Sequence, residues 1–354
     1  MNKIFYLFLT LSLLCTAAIT VEAGNPDRQG EAGAYELLMI PYAKMAGLHA
    51  MNTSFVTGVE AMRLNVAGLS RVNKTEVEVG YARYLQGTDI NMNAFGFAQK
   101  VGNGAFGFSL MALDFGDIPV TTTEQPEGTG ATYSPNFFNL ALSYAVTFEN
   151  KVSVGITLRG ISESTSNVSA FGFALDAGVQ YVSGEHDNFK FGISLRNVGS
   201  RMTFNGEGLG TRGPSPTGAY ELTFEQRTAG FELPSMLNIG TSYDILFGAN
   251  RVTLLGNFTS NSFSRDQVGG GLEYALNEIF MLRAGYKYEF QSNSDVIQES
   301  IYTGLAGGLT VQVPLKKKSE LKEGDYMPTL GIDYAYRETR LWDGTHNISV
   351  RISL

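Results

Sequence analysis

The sequence predicts an all-β fold, a transmembrane barrel of the bacterial outer membrane with about 14 antiparallel strands and an N-terminal hatch segment. Three observations predict it: alternating side chains, the phase of the charged residues, and the rhythm of the connections. From about residue 74 onward, apolar and polar residues alternate in segments of about 9 to 11 residues, the length of a tilted membrane strand. Residues 138–146, 152–158 and 280–288 are typical.

The charged residues of these segments test whether one strand face meets lipid. A soluble β-sandwich also alternates, but only hydrocarbon rejects Arg or Lys at mid-depth, by about 2 to 4 kcal/mol. Arg83 and Asp114 share the apolar phase, and both lie at predicted strand ends. The following residues all lie in the opposite phase, which we assign to the lumen: Glu76, Glu78, Arg159, Asp176, Lys190, Arg196, Asp244, Glu273, Arg283, Lys287, Asp333 and Arg351.

The connections between segments alternate between short and long. Bacterial barrels have short periplasmic turns and longer outer loops, so this rhythm favours the same fold. In a closed barrel we expect the last segment, 348–354, to pair with the first. The short connections are 102–104, 149–150, 247–250 and 277–278, and the long ones are 116–135, 162–169, 199–234, 260–266, 291–300 and 338–344.

The N-terminal residues 1–23 are typical of a cleaved secretory signal peptide. Lys3 precedes an apolar run at 4–14, and small residues end the segment near Ala23. A membrane anchor is the alternative, but the run is shorter than the roughly 20 residues of a bilayer span. The single cysteine, Cys15, leaves with this peptide; lipidation there is disfavoured because Leu14 precedes it. We therefore expect export to the outer membrane.

Residues 24–72 are predicted to form a hatch, or plug, inside the barrel of residues 73–354. The segment is too apolar for a disordered tail, and a barrel of about 14 strands has room in its lumen. Small residues in the lumen phase would let a second backbone approach closely. They are Gly80, Ala82, Gly155, Gly172, Gly178, Gly192, Gly240, Gly269, Gly271 and Gly285.

A motif within the hatch resembles a known family. Residues 61–69 read AMRLNVAGL, in which Asn65, Ala67, Gly68 and Leu69 match the pattern A-x-x-W-N-P-A-G-L of the PorV/PorQ family. Leu64 stands where that pattern has Trp, and Val66 stands where it has Pro. The resemblance implies a divergent member of this family of FadL-like outer-membrane barrels, which is associated with type IX secretion in Bacteroidota.

The sequence favours a protein that is not an enzyme. A formal net charge of -8 argues against nucleic-acid binding, which needs clustered Lys and Arg. Residues 102–107 fit the pattern G-x-G-x-x-G but lead into a strand, so we interpret them as a hairpin turn. The three histidines are far apart and lack metal-ligand spacing. We therefore predict no catalytic residue, no metal and no cofactor; a protease built from loop carboxylates is the remaining enzymatic alternative.

Two functions remain open. The resemblance implies a component or partner of the type IX system that sits in outer-membrane lipid and docks a translocon or secreted cargo through its outer loops. Candidate partner contacts in loop 199–234 are Phe204, Tyr220, Phe224 and Phe231, which could instead pack the loop onto the barrel rim. The alternative is a FadL-like channel for uptake of hydrophobic small molecules, with the ligand in the lumen. A hatch disfavours a third function, general diffusion.

Overall fold

The computed structural model describes residues 28–290, 300–316 and 326–354, so the predicted signal peptide lies outside the described residues. In this part of the chain no helix is long and apolar enough to cross a membrane. Short helices occupy the hatch: α1 is Ala43–Ala46 and α2 is Ala61–Leu64, with 3-10 turns at Tyr35–Leu38, Gly58–Glu60 and Val66–Arg71. A further 3-10 turn, Glu207–Leu209, lies in an outer loop.

The strands follow the hatch. They are β1 Thr75–Arg83, β2 Asn91–Val101, β3 Gly104–Asp114, β4 Ile118–Pro119, β5 Thr132–Tyr133, β6 Asn136–Phe148, β7 Val152–Thr165, β8 Val168–Ser183, β9 Phe189–Gly199, β10 Gly210–Pro214, β11 Glu221–Glu225, β12 Met236–Phe247, β13 Asn250–Asn261, β14 Gln267–Leu276, β15 Phe280–Glu289, β16 Tyr302–Pro314, β17 Thr329–Thr339 and β18 Thr345–Ser353.

Fourteen of these strands close into an antiparallel barrel in the order β1-β18-β17-β16-β15-β14-β13-β12-β9-β8-β7-β6-β3-β2. The last strand pairs with the first, as expected, with Val79 opposite Val350 and Glu78 opposite Arg351. The remaining strands form two small hairpins in outer loops, β4 with β5 and β10 with β11. The predicted all-β barrel is therefore confirmed.

The two faces of the barrel wall differ as the charge phase predicts. The outward side chains form an apolar belt, in which Leu142, Ile156 and Leu175 are about half exposed. The charged residues assigned to the lumen are buried or half-buried. A belt of this kind is stable in hydrocarbon, whereas in water it would be an unusually large apolar surface.

The prediction of a long outer loop at 162–169 is wrong. Strands β7 and β8 continue to Thr165 and from Val168, and only Ser166 and Asn167 separate them. Ser166 has a φ of 48°, in the left-handed region that a tight hairpin turn uses. The outer end of this hairpin carries mainly Ser and Thr side chains and lies beyond the apolar belt. The apolar alternation therefore stops before the two strands end, and the sequence pattern predicts strands that are too short.

The hatch, residues 28–72, fills the lumen and approaches the wall at small residues. A Cβ atom at Gly178 would lie 2.1 Å from Asn65 Oδ1, and one at Gly192 would lie 2.5 Å from the carbonyl oxygen of Thr53. A side chain would collide with the Asn65 side chain at the first point and with the hatch backbone at the second. The small residues of the lumen phase therefore permit the close packing of hatch against wall.

Candidate functional site: the hatch and the lumen wall

Hydrogen bonds from the closing strands hold the first half of the hatch. Asn347 Nδ2 on β18 donates to the carbonyl oxygens of Ile40 (2.8 Å) and Pro41 (3.2 Å). Ser349 Oγ, two residues further along the same strand, accepts from the Ala43 backbone N–H at 2.9 Å. These groups are buried, so the bonds position the chain just before and at α1.

A second set of hydrogen bonds holds the middle of the hatch. Gln180 Nε2 on β8 donates to the carbonyl oxygens of Val56 (2.9 Å) and Thr53 (3.2 Å). Glu76 Oε1 on β1 accepts from the Val59 backbone N–H at 2.7 Å. The hatch is thus bonded to strands on both sides of the β1–β18 junction and to β8.

The hatch motif is a structural anchor in this arrangement. Asn65 Nδ2 donates to the carbonyl oxygens of Thr53 (2.9 Å) and Val179 (3.0 Å), while its Oδ1 accepts from the Ala67 backbone N–H at 3.2 Å and so begins the 3-10 turn. A Cβ at Gly68 would lie 1.9 Å from the Val56 carbonyl oxygen. Leu69 is fully buried. Every matched residue of the motif therefore packs inside the plug.

Charged residues on β7 to β9 reinforce the anchoring. Arg159 and Asp176 form a buried ion pair at 2.6 Å. Arg159 Nη2 also donates to the Met62 carbonyl oxygen at 3.0 Å, and Arg196 Nη2 donates to the Leu37 carbonyl oxygen at 3.1 Å. Both arginines thus join the wall to the hatch backbone, where a guanidinium supplies several donors at once.

A further charged network lines β9 and β12 to β15. Glu273 on β14 pairs with Arg283 at 2.5 Å and with Arg251 at 3.0 Å. Lys190 on β9 pairs with Asp244 on β12 at 2.5 Å. Together with the arginines of β7 and β9, these pairs give a large part of the lumen wall a polar, charged surface.

The lumen faces of β2, β3 and β6 are different in character. Apart from Lys100 at the periplasmic end of β2, they carry no Asp, Glu, Lys or Arg. The buried wall residues include Met92, Ala94, Ala98, Ala105, Met111, Leu113 and Ala145, which pack against the buried hatch residues Ile40, Tyr42, Met45, Val59, Met62, Leu64 and Leu69. We call this contact between the hatch and the lumen faces of β2, β3 and β6 the apolar seam.

Few hydrogen bonds cross the apolar seam. Within the described residues, Arg63 Nη2 donates to Met111 Sδ at 3.1 Å. At the periplasmic end, Ser70 bonds Lys100 through its carbonyl oxygen and Thr147 through its hydroxyl. The buried side-chain amide of Asn139 on β6 has no hydrogen-bond partner. The hatch could therefore separate from this side of the wall with little loss of hydrogen bonding.

The seam reaches the outer mouth of the barrel. At the outer ends of β3 and β6, Phe115 and Phe137 stack edge to face with ring centroids 4.9 Å apart, and both pack against the same apolar cluster. On the periplasmic side, beside β1 and β16 to β18 and away from the seam, a cavity of about 500 Å³ adjoins the hatch and is lined by residues that include Thr57, Gln312 and Arg351.

The four aromatic residues proposed as partner contacts occupy two environments. Phe204 and Phe231 pack against each other, with ring centroids 5.7 Å apart, over a buried cluster at the rim. Tyr220 and Phe224 are 62% and 45% exposed at the β10–β11 hairpin. Only the second pair presents its rings to solvent, so a partner at the outer loop would meet Tyr220 and Phe224 first.

Burial changes the acidity of two hatch carboxyls. Burial, followed by the neighbouring carboxylate of Glu163, raises the pKa of Glu36 to about 8. Burial also raises the pKa of Glu60 to about 7, against the opposing effect of Lys44. Near neutral pH Glu36 is therefore mostly protonated and Glu60 is protonated in about half of the molecules, which lowers the cost of placing carboxyl groups inside the plug.

The apolar seam was missed by sequence reasoning, although a signal for it exists. Charged residues in one phase indicate a lumen face, and an absence of charge in that same phase indicates an apolar stretch of the lumen wall. In 92–98, 105–113 and 137–145 the lumen phase lacks Asp, Glu, Lys and Arg throughout. The hatch side of the seam carries no comparable signal, because its residues have no regular period.

Comparison with known proteins gives similarity in structure alone. No family model and no curated protein matches the chain. The toluene transporter TodX of Pseudomonas putida is similar, with a TM-score of 0.55, 14% identity, and coverage of 88% of this chain and 96% of that one. A FadL homologue of Pseudomonas aeruginosa has a TM-score of 0.52 and 11% identity, covering 88% and 98% respectively. The chain therefore has the fold of these FadL-like outer-membrane barrels.

Proposed function

We propose that the protein is an outer-membrane channel that admits hydrophobic small molecules along the apolar seam. The observation that carries this proposal is the division of the lumen wall. Charged and polar strands bind the hatch, whereas β2, β3 and β6 meet it through apolar side chains. A molecule that replaces those apolar contacts can pass while the hydrogen bonds that Asn65 and Gln180 make between the hatch and the wall stay in place.

The methionines of the seam support an apolar ligand. Met39, Met45, Met62, Met92 and Met111 lie in or against one cluster. Methionine is unbranched and polarisable, so it adapts its shape to different apolar partners and contacts aromatic rings favourably. A wall of this composition suits a ligand without strong hydrogen-bonding groups.

The similar structures support the same class of ligand. TodX is described as a toluene transporter and as a monoaromatic hydrocarbon channel. Both TodX and this chain are barrels that align over nearly the whole length of TodX. The proposal assigns to this chain a ligand of comparable chemistry, a small apolar molecule.

The test is a pair of isosteric changes in the seam. Met92→Gln with Met111→Gln keeps the side-chain shape and adds two buried amides, each costing about 1 to 3 kcal/mol. Met92→Leu with Met111→Leu is the matched apolar control. We expect toluene uptake into cells to fall about tenfold in the Gln variant and less than about twofold in the Leu variant. Equal uptake by two folded variants would refute the seam as the path.

A second candidate function is docking of a type IX secretion translocon or its cargo. The exposed rings of Tyr220 and Phe224 on an outward hairpin favour it, together with the hatch motif. Replacing residues 210–225 with a Gly-Ser linker leaves the loop base intact, because Asn205 pairs with Ser169 outside that range. Loss of a co-purified partner with unchanged toluene uptake would support docking; retention of every partner would count against it.

A further inference from the structure

The start of the hatch is paired with an outer loop. Ala32 and Glu232 form a parallel bridge, in which the Gly33 backbone N–H donates to the Glu232 carbonyl oxygen at 3.0 Å and the Glu232 N–H donates to the Glu31 carbonyl oxygen at 3.3 Å. Glu232 lies in the loop of residues 200–235 between β9 and β12. The first described residues of the plug are thus joined to a surface loop.

Charged side chains surround this pairing. Glu232 accepts from Arg28 Nη2 at 3.0 Å and from Arg201 Nη2 at 2.6 Å. The guanidinium of Arg28 also lies 4.3 Å from the centre of the Phe263 ring. Arg201 is exposed, and Arg28 and Glu232 are partly exposed, so each ion pair contributes little by itself. They fix the orientation of the pairing more than they stabilise it.

Apolar packing beneath the bridge supplies the stronger contact. A Cβ at Gly33 would lie 2.4 Å from the Phe231 ring, so the ring rests directly on the hatch backbone. Phe231 and Met202 exchange backbone hydrogen bonds of 2.9 and 3.0 Å across the base of the loop. Met202 joins the hatch residues Ala34 and Leu37 in one buried cluster.

The contacts of the hatch therefore fall into two groups. Its later part is bonded to the barrel wall by Asn65 and Gln180, whereas residues 31–34 are bonded to the loop, and Leu37 between them accepts from Arg196 of the wall. We propose that loop 200–235 is a latch: when the loop is displaced from outside, residues 28–38 of the hatch are released while residues 59–71 stay fixed. This inference rests on the proposed function only in that uptake requires the hatch to move.

A reversible cross-link tests the latch. Ala32→Cys with Glu232→Cys, in a Cys15→Ser chain, places two thiols on paired residues, whose separation of about 5 Å permits a disulfide. We expect oxidation to lower toluene uptake about tenfold and reduction to restore it, because the closed hatch cannot leave the loop. Arg212→Cys with Thr223→Cys, which links β10 to β11 only, is the control. Equal uptake by the oxidised and reduced latch pair would overturn the proposal.

Hydrogen exchange separates a failure of the latch from a failure of the channel. Met202→Ala with Phe231→Ala removes the apolar contact and should speed exchange of the Leu37 and Met39 amides about tenfold, leaving those of Gly68 and Val72 unchanged. Unchanged exchange at Leu37 would refute the latch whatever the uptake. Faster exchange in a protein that takes up no toluene would uphold the latch and refute the channel.

Discussion

At the scale of single residues, position inside the plug decides the role of a polar group. Asn65 and Asn139 are both fully buried amides, yet Asn65 makes three hydrogen bonds and Asn139 makes none. A satisfied amide fixes structure, whereas an unsatisfied one is costly unless water or a ligand completes it. The first therefore holds the hatch, and the second lies at the seam where a passing molecule would meet it.

Changing Asn65 to Asp should loosen the hatch. The new carboxylate can still accept from the Ala67 N–H but cannot donate to Thr53 or Val179, and each buried group left unpaired costs about 1 to 3 kcal/mol. We expect a higher steady ion conductance in planar bilayers. Asn103→Asp, the same change in an exposed turn, should leave conductance as it is; equal conductance in the two variants would contradict the anchor.

Raising the pH should loosen the outer part of the hatch. When the hatch is packed in the lumen, the pKa of Glu36 is about 8, above its ordinary value of 4.5. Protonation of Glu36 therefore stabilises the packed state fully below pH 4.5, and this stabilisation is lost progressively as the pH rises to about 8. Above that value Glu36 repels the Glu163 carboxylate. We expect amide exchange at residues 35–38 to rise up to about pH 8, beyond the intrinsic effect of hydroxide, and Glu36→Gln to remove the extra rise.

At the scale of elements, each strand is specified by its two unlike faces. Lipid requires an apolar outer face, and this requirement makes strand positions and side-chain phase predictable from local sequence. The lumen face is less predictable, because its partners are distant in the chain. Thr157 illustrates this: its phase predicts a tolerant lumen position, yet it is completely buried and bonded to Ser143 Oγ at 2.8 Å.

A lipid-facing charge should prevent or weaken barrel assembly. Ile156 is 60% exposed in the middle of β7, so Ile156→Arg places a cation in hydrocarbon at a cost of about 2 to 4 kcal/mol. We expect a lower folded fraction and a lower urea midpoint in lipid vesicles. Ile156→Leu keeps the side chain apolar and should behave as the parent; equal loss in both variants would mean that packing, not charge, limits assembly.

At the scale of the whole molecule, the barrel could be predicted and the path of the plug could not. Strand alternation and charge phase are local properties, so the closed sheet follows from them with one error, the β7–β8 hairpin. The hatch has no period, and its position depends on bonds such as that from Asn65 to Val179, 114 residues apart. Its course, and with it the apolar seam, therefore emerges only when the chain is folded.

The folded protein should fractionate with the outer membrane and migrate faster on gels before boiling than after. Closed barrels resist detergent until heated, because they have no free strand edge to open. The same preparation boiled first serves as the control. Recovery of the unboiled protein as a soluble periplasmic species would contradict a membrane barrel.

The bonds from the last strand to the hatch have a consequence for assembly. Asn347 and Ser349 on β18 hold residues 40–43, and Glu76 on β1 holds Val59. The first and last strands, whose pairing closes the barrel, are thus among the strands that bind the hatch. We expect the plug to be enclosed during membrane insertion rather than threaded in afterwards, so that biogenesis delivers each protein already closed.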